Sequence, residues 1–344
     1  MKTRQIQFDG VGRMQVVTRE LTEPGPKQVL VKIEACGLCT WERYVYAGSE
    51  GMPFPFVGGH EIAATVVEKG ERVGEHIQVG MPVSVAKWVR CNECEPCRRG
   101  YDNHCEGNDA PSGRDYSGPA GFSEYLLCES YEVFPFEGEA PVHFAALAEP
   151  LACVLRACNR LNVVEGDTVV VLGAGMMGLL FLKLLRHRGL RVIVVQRSAK
   201  RREMAAQMGA DAVIDPAESS WVQQVLALTD GKGAAAVVYT AGGGEVLNQC
   251  MEATRLGGTV MMYAPTHEEA PNIAGDWIHF KELVVTGALR HDKESFRQAV
   301  RLLADGQVDF SDLNLAFGSF EDMAAEMQRA DTDRDIHRIL LRWG

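Results

Sequence analysis

Four cysteines fall within fifteen residues, spaced Cys91-x2-Cys94-x2-Cys97-x7-Cys105. Thiolates at this density suit a closed, tetrahedral structural zinc site, and without metal they would be an oxidation liability. A second set is dispersed: Cys39, the tripeptide Gly59-His60-Glu61, and Glu149. A soft thiolate, an imidazole and carboxylates suit a catalytic zinc that keeps one coordination position open. A third feature is Gly173-Ala174-Gly175-Met176-Met177-Gly178, which follows an apolar strand pattern and opens an amphipathic one. In a strand–turn–helix setting Gly173 permits the tight turn and Gly175 lets backbone approach a pyrophosphate. Gly178 allows close helix–strand packing, and the phosphates would lie at the helix start beside Met176 and Met177.

At the end of the next strand, where an acidic residue would hold the ribose 2′-hydroxyl of NAD, the chain reads Val195-Gln196-Arg197-Ser198. Nothing there repels a 2′-phosphate, and arginine grips phosphate through a bidentate fork. NADP(H) is therefore expected over NAD(H), with Gln196, Arg197, Ser198 and Arg201 as the cofactor-binding residues. Arg202 is expected on the solvated face of the following helix.

The elements that must position these groups fall into two rhythms. Up to residue 150, short strands such as Gln28–Ile33, Glu61–Glu68 and Pro82–Ala86 are punctuated by Gly and Pro turns, predicting an irregular β domain. From Pro141 to Arg160 the pattern turns helical. Beyond Asp167, strands Thr168–Leu172, Arg191–Val195, Ala212–Ile214, Ala235–Tyr239, Thr259–Tyr263 and Leu283–Thr286 alternate with helical stretches. That alternation predicts an α/β, doubly wound parallel sheet over 151–289. Residues 290–344 are too few for a third domain and are expected to return to the first.

With 344 residues and 46% hydrophobic content the chain has ample material for two cores. A net charge of −11 argues against nucleic-acid binding. No apolar run is long enough for a membrane span, and the opening MKTRQIQFDG lacks a secretory pattern. A cytoplasmic protein without membrane partners is expected, and ten cysteines without a signal point to metal rather than disulfides.

Cys36-Gly37-Leu38-Cys39, Gly59-His60-Glu61, the four-cysteine lobe, Glu149-Pro150-Leu151 and Gly173–Gly178 stand in one order along nearly the whole chain. In that order they resemble the zinc-dependent medium-chain dehydrogenase/reductase superfamily, which includes the alcohol, sorbitol and threonine dehydrogenases. The resemblance implies a GroES-like catalytic domain joined to a Rossmann domain, and a homodimer or homotetramer. It also implies a catalytic zinc held by Cys39 and His60 plus Glu61 or Glu149. A glutamate as third ligand resembles the polyol and sugar branch. Three positions depart from the pattern. Trp41 stands where the family places its proton-relay hydroxyl, Glu42 replaces the aspartate that orients the zinc-ligand histidine, and Ala64 replaces a glycine. Thr40, zinc-bound water, Glu61 and Lys87 are the candidate substitutes in the proton path, Lys87 because burial can lower a lysine pKa.

The implied function is an NADP(H)-dependent alcohol dehydrogenase or ketone reductase, with zinc as the Lewis acid and a small-molecule polyol, sugar, cyclitol or amino-sugar derivative as substrate. The first 150 residues hold 14 basic and 22 acidic side chains, which favours a cationic substrate over an anionic one. The alternatives are a catalytically inactive nucleotide- and zinc-binding regulator, or a zinc-free quinone or enoyl reductase.

Overall fold

Chain order and spatial order diverge in the computed structural model, which describes residues 1–109, 114–241, 243–265 and 273–344. Met1–Ala152 and Asp292–Gly344 form one unit, and Cys153–His291 forms the other.

The first unit is organised around the strand Gln28–Gly37, whose Val29, Val31, Ile33, Ala35 and Cys36 are buried. This strand pairs antiparallel with Glu61–Lys69, with Tyr125–Glu129 and with Arg338–Arg342. Arg338–Arg342 in turn pairs with Leu315–Ser319, and Glu61–Lys69 continues the sheet through Pro82–Val85 to Val133–Pro135. The hairpin Lys2–Gly10 and Arg13–Glu20 adds Ile6 and Phe8 to a core shared with Phe56, Ile62, Phe122 and Phe320. Each buried phenylalanine there is worth about 3–5 kcal/mol against truncation to alanine. Register does the positioning. Gly37 lies opposite Glu61, so Cys39, just past one strand, and His60, just before the next, meet at one end of the sheet.

The helical pattern expected from Pro141 divides in two, a 3-10 turn over Val142–Leu147 and an α-helix over Ala148–Cys158. Pro150 has no N–H and is tolerated only in a helix's first turn, so the α-helix opens at Ala148 and carries Glu149 at its start. Lys293–Ala304 is closed by a reciprocal cap between Asp292 and Ser295.

The second unit is a parallel sheet in the order Ala212–Ile214, Arg191–Val195, Thr168–Leu172, Ala234–Tyr239, Thr254–Met262, Val284–Gly287. Numbered along the chain this is 3-2-1-4-5-6, the Rossmann arrangement. One strand begins earlier than its apolar run predicts. Ala234 pairs with Thr254 and Ala236 with Thr259, and the residues between form an irregularity with Gly257 at φ +68°. Among the described residues no helix is long and apolar enough to cross a membrane.

Candidate functional site

Two overlapping trios meet at His60. The ligand atoms of Cys39, Glu42 and His60 lie within 4.8 Å of one another, as do those of His60, Glu61 and Glu149. Glu42 Oε1 lies 2.6 Å from His60 Nδ1 and accepts the Gly59 N–H at 3.0 Å. A carboxylate on one ring nitrogen fixes the tautomer and turns the other nitrogen toward a metal. Here Nε2 faces Glu149 Oε2 at 3.9 Å. Burial works to lower the His60 pKa, but Glu42, Cys39 and Glu149 outweigh it and hold it well above the usual imidazole value.

Glu61 is fully buried, and desolvation pushes its pKa up to about 7 although Arg338 and His60 pull it down. Arg338 Nη2 stands 2.9 Å from Glu61 Oε1, while Nη1 donates to the Leu38 carbonyl at 3.1 Å. A Cβ at position 37 would lie 1.9 Å from Glu61 Oε2, so Gly37 leaves the room this carboxylate occupies. Glu61 Oε2 and Glu42 Oε2 are buried without hydrogen-bond partners. Unpartnered buried carboxylate oxygens beside a thiol and an imidazole are what a bound divalent cation would satisfy, so the residues fit zinc. Reading the sequence missed Arg338. The available signal was an arginine directly before the apolar run Ile339-Leu340-Leu341.

The expected proton-path residues are placed differently. Thr40 opens the helix Thr40–Tyr46, and its hydroxyl accepts from Arg43 Nη2 at 3.0 Å; Arg43 is itself paired with Asp331. Trp41 stands edge to face with His60, ring centroids 5.6 Å apart, and its Nε1 donates to Glu50 at 3.1 Å. Lys87 corrects its expectation. Its ammonium donates to Glu132 Oε2 at 2.8 Å, and although burial acts to lower its pKa, Glu132 raises it above the ordinary lysine value. The lysine is held charged rather than poised near neutrality.

Cys91, Cys94, Cys97 and Cys105 bring their sulfurs within 4.8 Å of one another, a set that fits a tetrahedral thiolate site. The N–H groups of Cys94 and Glu93 donate to Cys91 Sγ at 3.2 and 3.4 Å and draw its pKa down to about 6. Asp102, between the third and fourth cysteines, accepts from Arg90 Nε at 2.7 Å and from the Lys293 N–H at 3.2 Å, which ties the lobe to the helix Lys293–Ala304.

In the second unit the strand Thr168–Leu172 runs into Gly173 at φ +100°, and the helix Met176–His187 begins after Gly175 with no side-chain cap. A Cβ on Gly178 would lie 2.0 Å from the Gly173 carbonyl, whereas one on Gly175 would enter open space. The turn therefore excludes side chains at one glycine for packing and leaves backbone bare at another, the cradle a pyrophosphate needs. Met176 buries its side chain, so only its backbone can serve a ligand, and Met177 is half-buried. Past the next strand, Gln196 Oε1 accepts the Ser198 N–H at 3.0 Å, and Ser198 Oγ accepts the Arg201 N–H. Arg197 is exposed, and its guanidinium has no hydrogen-bond or ion-pair partner among the described residues. Arg202 departs from its expected solvated position. Its Nη1 donates to the Gln196 and Arg197 carbonyls at 2.8 and 2.6 Å and its Nη2 pairs with Asp215 at 2.7 Å, so it pins the loop.

Residues 25–138 match the family model of the alcohol dehydrogenase GroES-like domain, and residues 177–305 match that of the zinc-binding dehydrogenase. The chain is 32% identical over 326 residues to the L-threonine 3-dehydrogenase of Pyrococcus abyssi (strain GE5 / Orsay), covering 92% of each. It is 28% identical over 361 residues to the scyllo-inosose 3-dehydrogenase of Thermotoga maritima, covering 95% of this chain and 90% of that relative. Among solved structures it is similar to one described as a zinc-binding dehydrogenase from Sinorhizobium meliloti 1021 and bound to NADP. That similarity has a TM-score of 0.87, 28% identity and 99% of each chain covered.

Proposed function

This chain belongs to the zinc-dependent medium-chain dehydrogenase/reductase superfamily, and from that premise we propose that it transfers a hydride between NADP(H) and a secondary alcohol or ketone. The substrate class is a polyol, sugar, cyclitol or amino-sugar derivative. The observation that carries this reading is the meeting of thiol, imidazole and carboxylates around His60, with buried carboxylate oxygens left unpartnered. Cys39 and His60 would hold zinc together with Glu61 or Glu149, and Cys91, Cys94, Cys97 and Cys105 would hold a structural ion. When bound, the catalytic ion supplies Lewis-acid polarisation of the substrate oxygen and the nicotinamide carries the hydride.

The chain's own residues do the rest. Glu42 keeps the His60 ring in place through Nδ1, and Arg338 holds Glu61 and the Leu38 carbonyl beside Cys39. The Arg43 bond to the Thr40 oxygen leaves the Thr40 O–H free to donate, which makes Thr40 the better relay candidate over an ion-paired Lys87. The backbone from Gly173 to Gly178 receives the pyrophosphate. An unpaired Arg197, and Gln196 in place of a carboxylate, favour a 2′-phosphate, and the NADP-bound neighbour supports the same preference. The relatives act on threonine and on a cyclitol ketone by name, which supports a small polar substrate.

The test is zinc per chain together with NADPH and NADH oxidation across a panel of ketones from polyols, cyclitols and amino sugars. Two zinc ions and NADPH-preferred turnover are expected. Full activity of metal-stripped protein would overturn the reading, and preference for NADH would overturn its cofactor half.

A further inference from the structure

We propose that Trp41 is a specificity-determining residue: its indole, fixed beside the His60 imidazole, is the platform on which the C–H face of a ring-shaped polyol, a cyclitol or pyranose, is seated. This deepens the proposed function and rests on it.

The groups that could ligate a metal beside His60 are Cys39, Glu42, Glu61 and Glu149. These groups address substrate oxygens, and the C–H face of a substrate needs an apolar surface beside them. Trp41 supplies one. It is only partly buried, and its ring meets His60 at 5.6 Å and Phe56 at 5.7 Å, with interplanar angles of 76° and 70°. The Nε1 donor is already spent on Glu50 at 3.1 Å, so the part of the indole left exposed can offer a ligand only apolar contact. Two ring contacts and one hydrogen bond hold the indole, and an aromatic side chain gives large contact area at low entropic cost. A saturated ring bearing hydroxyls has an oxygen-rich rim and a flat C–H face. It can place one oxygen at the metal-ligating cluster while its face lies on the indole. An open-chain polyol must freeze several torsions to present the same area.

The experiment compares wild type with Trp41→Phe, Trp41→Ala and Glu50→Ala, full-length and zinc-loaded. The readout is the ratio of kcat/KM for the better used of myo-inositol and glucosamine over kcat/KM for sorbitol. Wild type is expected to favour the ring. Trp41→Ala should cut the ratio by about tenfold or more, on the scale of a lost pocket contact, and Trp41→Phe and Glu50→Ala should cut it less. Should Trp41→Ala fold poorly, Trp41→Phe must still lower the ratio.

A second readout needs no turnover: the tryptophan emission of wild type with NADP should shift saturably with the ring compound, and that of Trp41→Phe should not. A ratio unmoved by every variant, or a wild type that favours sorbitol, sinks the inference while leaving the oxidoreductase reading intact. Saturable Trp41-dependent binding without hydride transfer to any compound upholds the platform and sinks the oxidoreductase reading. Neither binding nor turnover of the ring compounds overturns the inference.

Discussion

Glu42 is one methylene longer than the aspartate the resemblance calls for, yet its Oε1 reaches both the Gly59 N–H and His60 Nδ1. The extra length is absorbed because Glu42 rises from the first turn of a short helix whose inward face also buries Val45. Glu42→Gln keeps the shape and removes the charge; kcat/KM should fall by about 10- to 100-fold, as for other groups behind a metal ligand, with bound zinc falling less than the rate. Steady-state kinetics and metal analysis on the same preparation check this. At the cofactor end, Gln196→Asp with Arg197→Ile should reverse the cofactor preference, since the carboxylate repels a 2′-phosphate and accepts from a 2′-hydroxyl. The ratio of kcat/KM with NADPH to that with NADH measures it, and an unchanged ratio would remove Arg197 from the site. Arg202 should be left alone in such designs, because its bonds to the Gln196 and Arg197 carbonyls shape the loop.

Among the elements, the turn between Thr168–Leu172 and Met176–His187 separates packing from binding within six residues. Gly175→Ala has open space for its methyl, so melting should stay unchanged while the NADPH dissociation constant rises about tenfold or more through lost backbone approach. Gly178→Ala drives a methyl to 2.0 Å from the Gly173 carbonyl and should lower both melting temperature and affinity. Calorimetry and cofactor titration of the pair distinguish the two roles. In the cysteine lobe, the short helix Glu95–Arg98 and the Asp102 tether leave little apolar burial to hold the segment. Structural zinc contributes about 10 kcal/mol or more in small isolated domains, so Cys97→Ser should cost soluble yield and one zinc per chain. Unchanged melting with full zinc would remove the structural role.

At the scale of the whole molecule, stability and site geometry depend on pairs far apart in the chain. Lys87 and Glu132 are 15% and 3% exposed and 2.8 Å apart. Lys87→Met strands a buried carboxylate and should cost about 3 kcal/mol, at the low end for broken buried pairs because the lysine keeps some exposure. Adding Glu132→Gln should recover part of it. Because Lys87 is raised above 10.5 in the folded protein, its stabilisation is full below pH 10.5 and is lost only as pH climbs through the raised value. Denaturant melts from pH 7 to 11 should therefore differ between wild type and Lys87→Met by a constant amount until the alkaline end. Arg338, on a strand that returns after residue 292, bonds to Leu38 across a separation of 300 residues. Arg338→Met should weaken zinc retention under chelator by about 10- to 100-fold, although it touches neither Cys39 nor His60 as a ligand.

Period and turn chemistry are local, and they place several strands of the second unit to the residue. Thr168–Leu172, Arg191–Val195 and Ala212–Ile214 have the ends that the sequence pattern predicts, and the first two are apolar wherever they are buried in the parallel sheet. The strand at Thr254 does not, since its first residues are an irregular stretch around Gly257 with no apolar signature. Ligand types were likewise legible, because thiols, imidazole and the glycines of a phosphate turn are chosen for chemistry that few other residues can supply. Partners were not. Whether Arg202 meets solvent or Asp215, Lys87 water or Glu132, Thr40 a substrate or Arg43, and Glu61 a metal or Arg338, depends on where long side chains end. That is decided by sheet register and by the return of the C-terminal strand, which bring together residues whose spacing along the chain carries no trace of the contact.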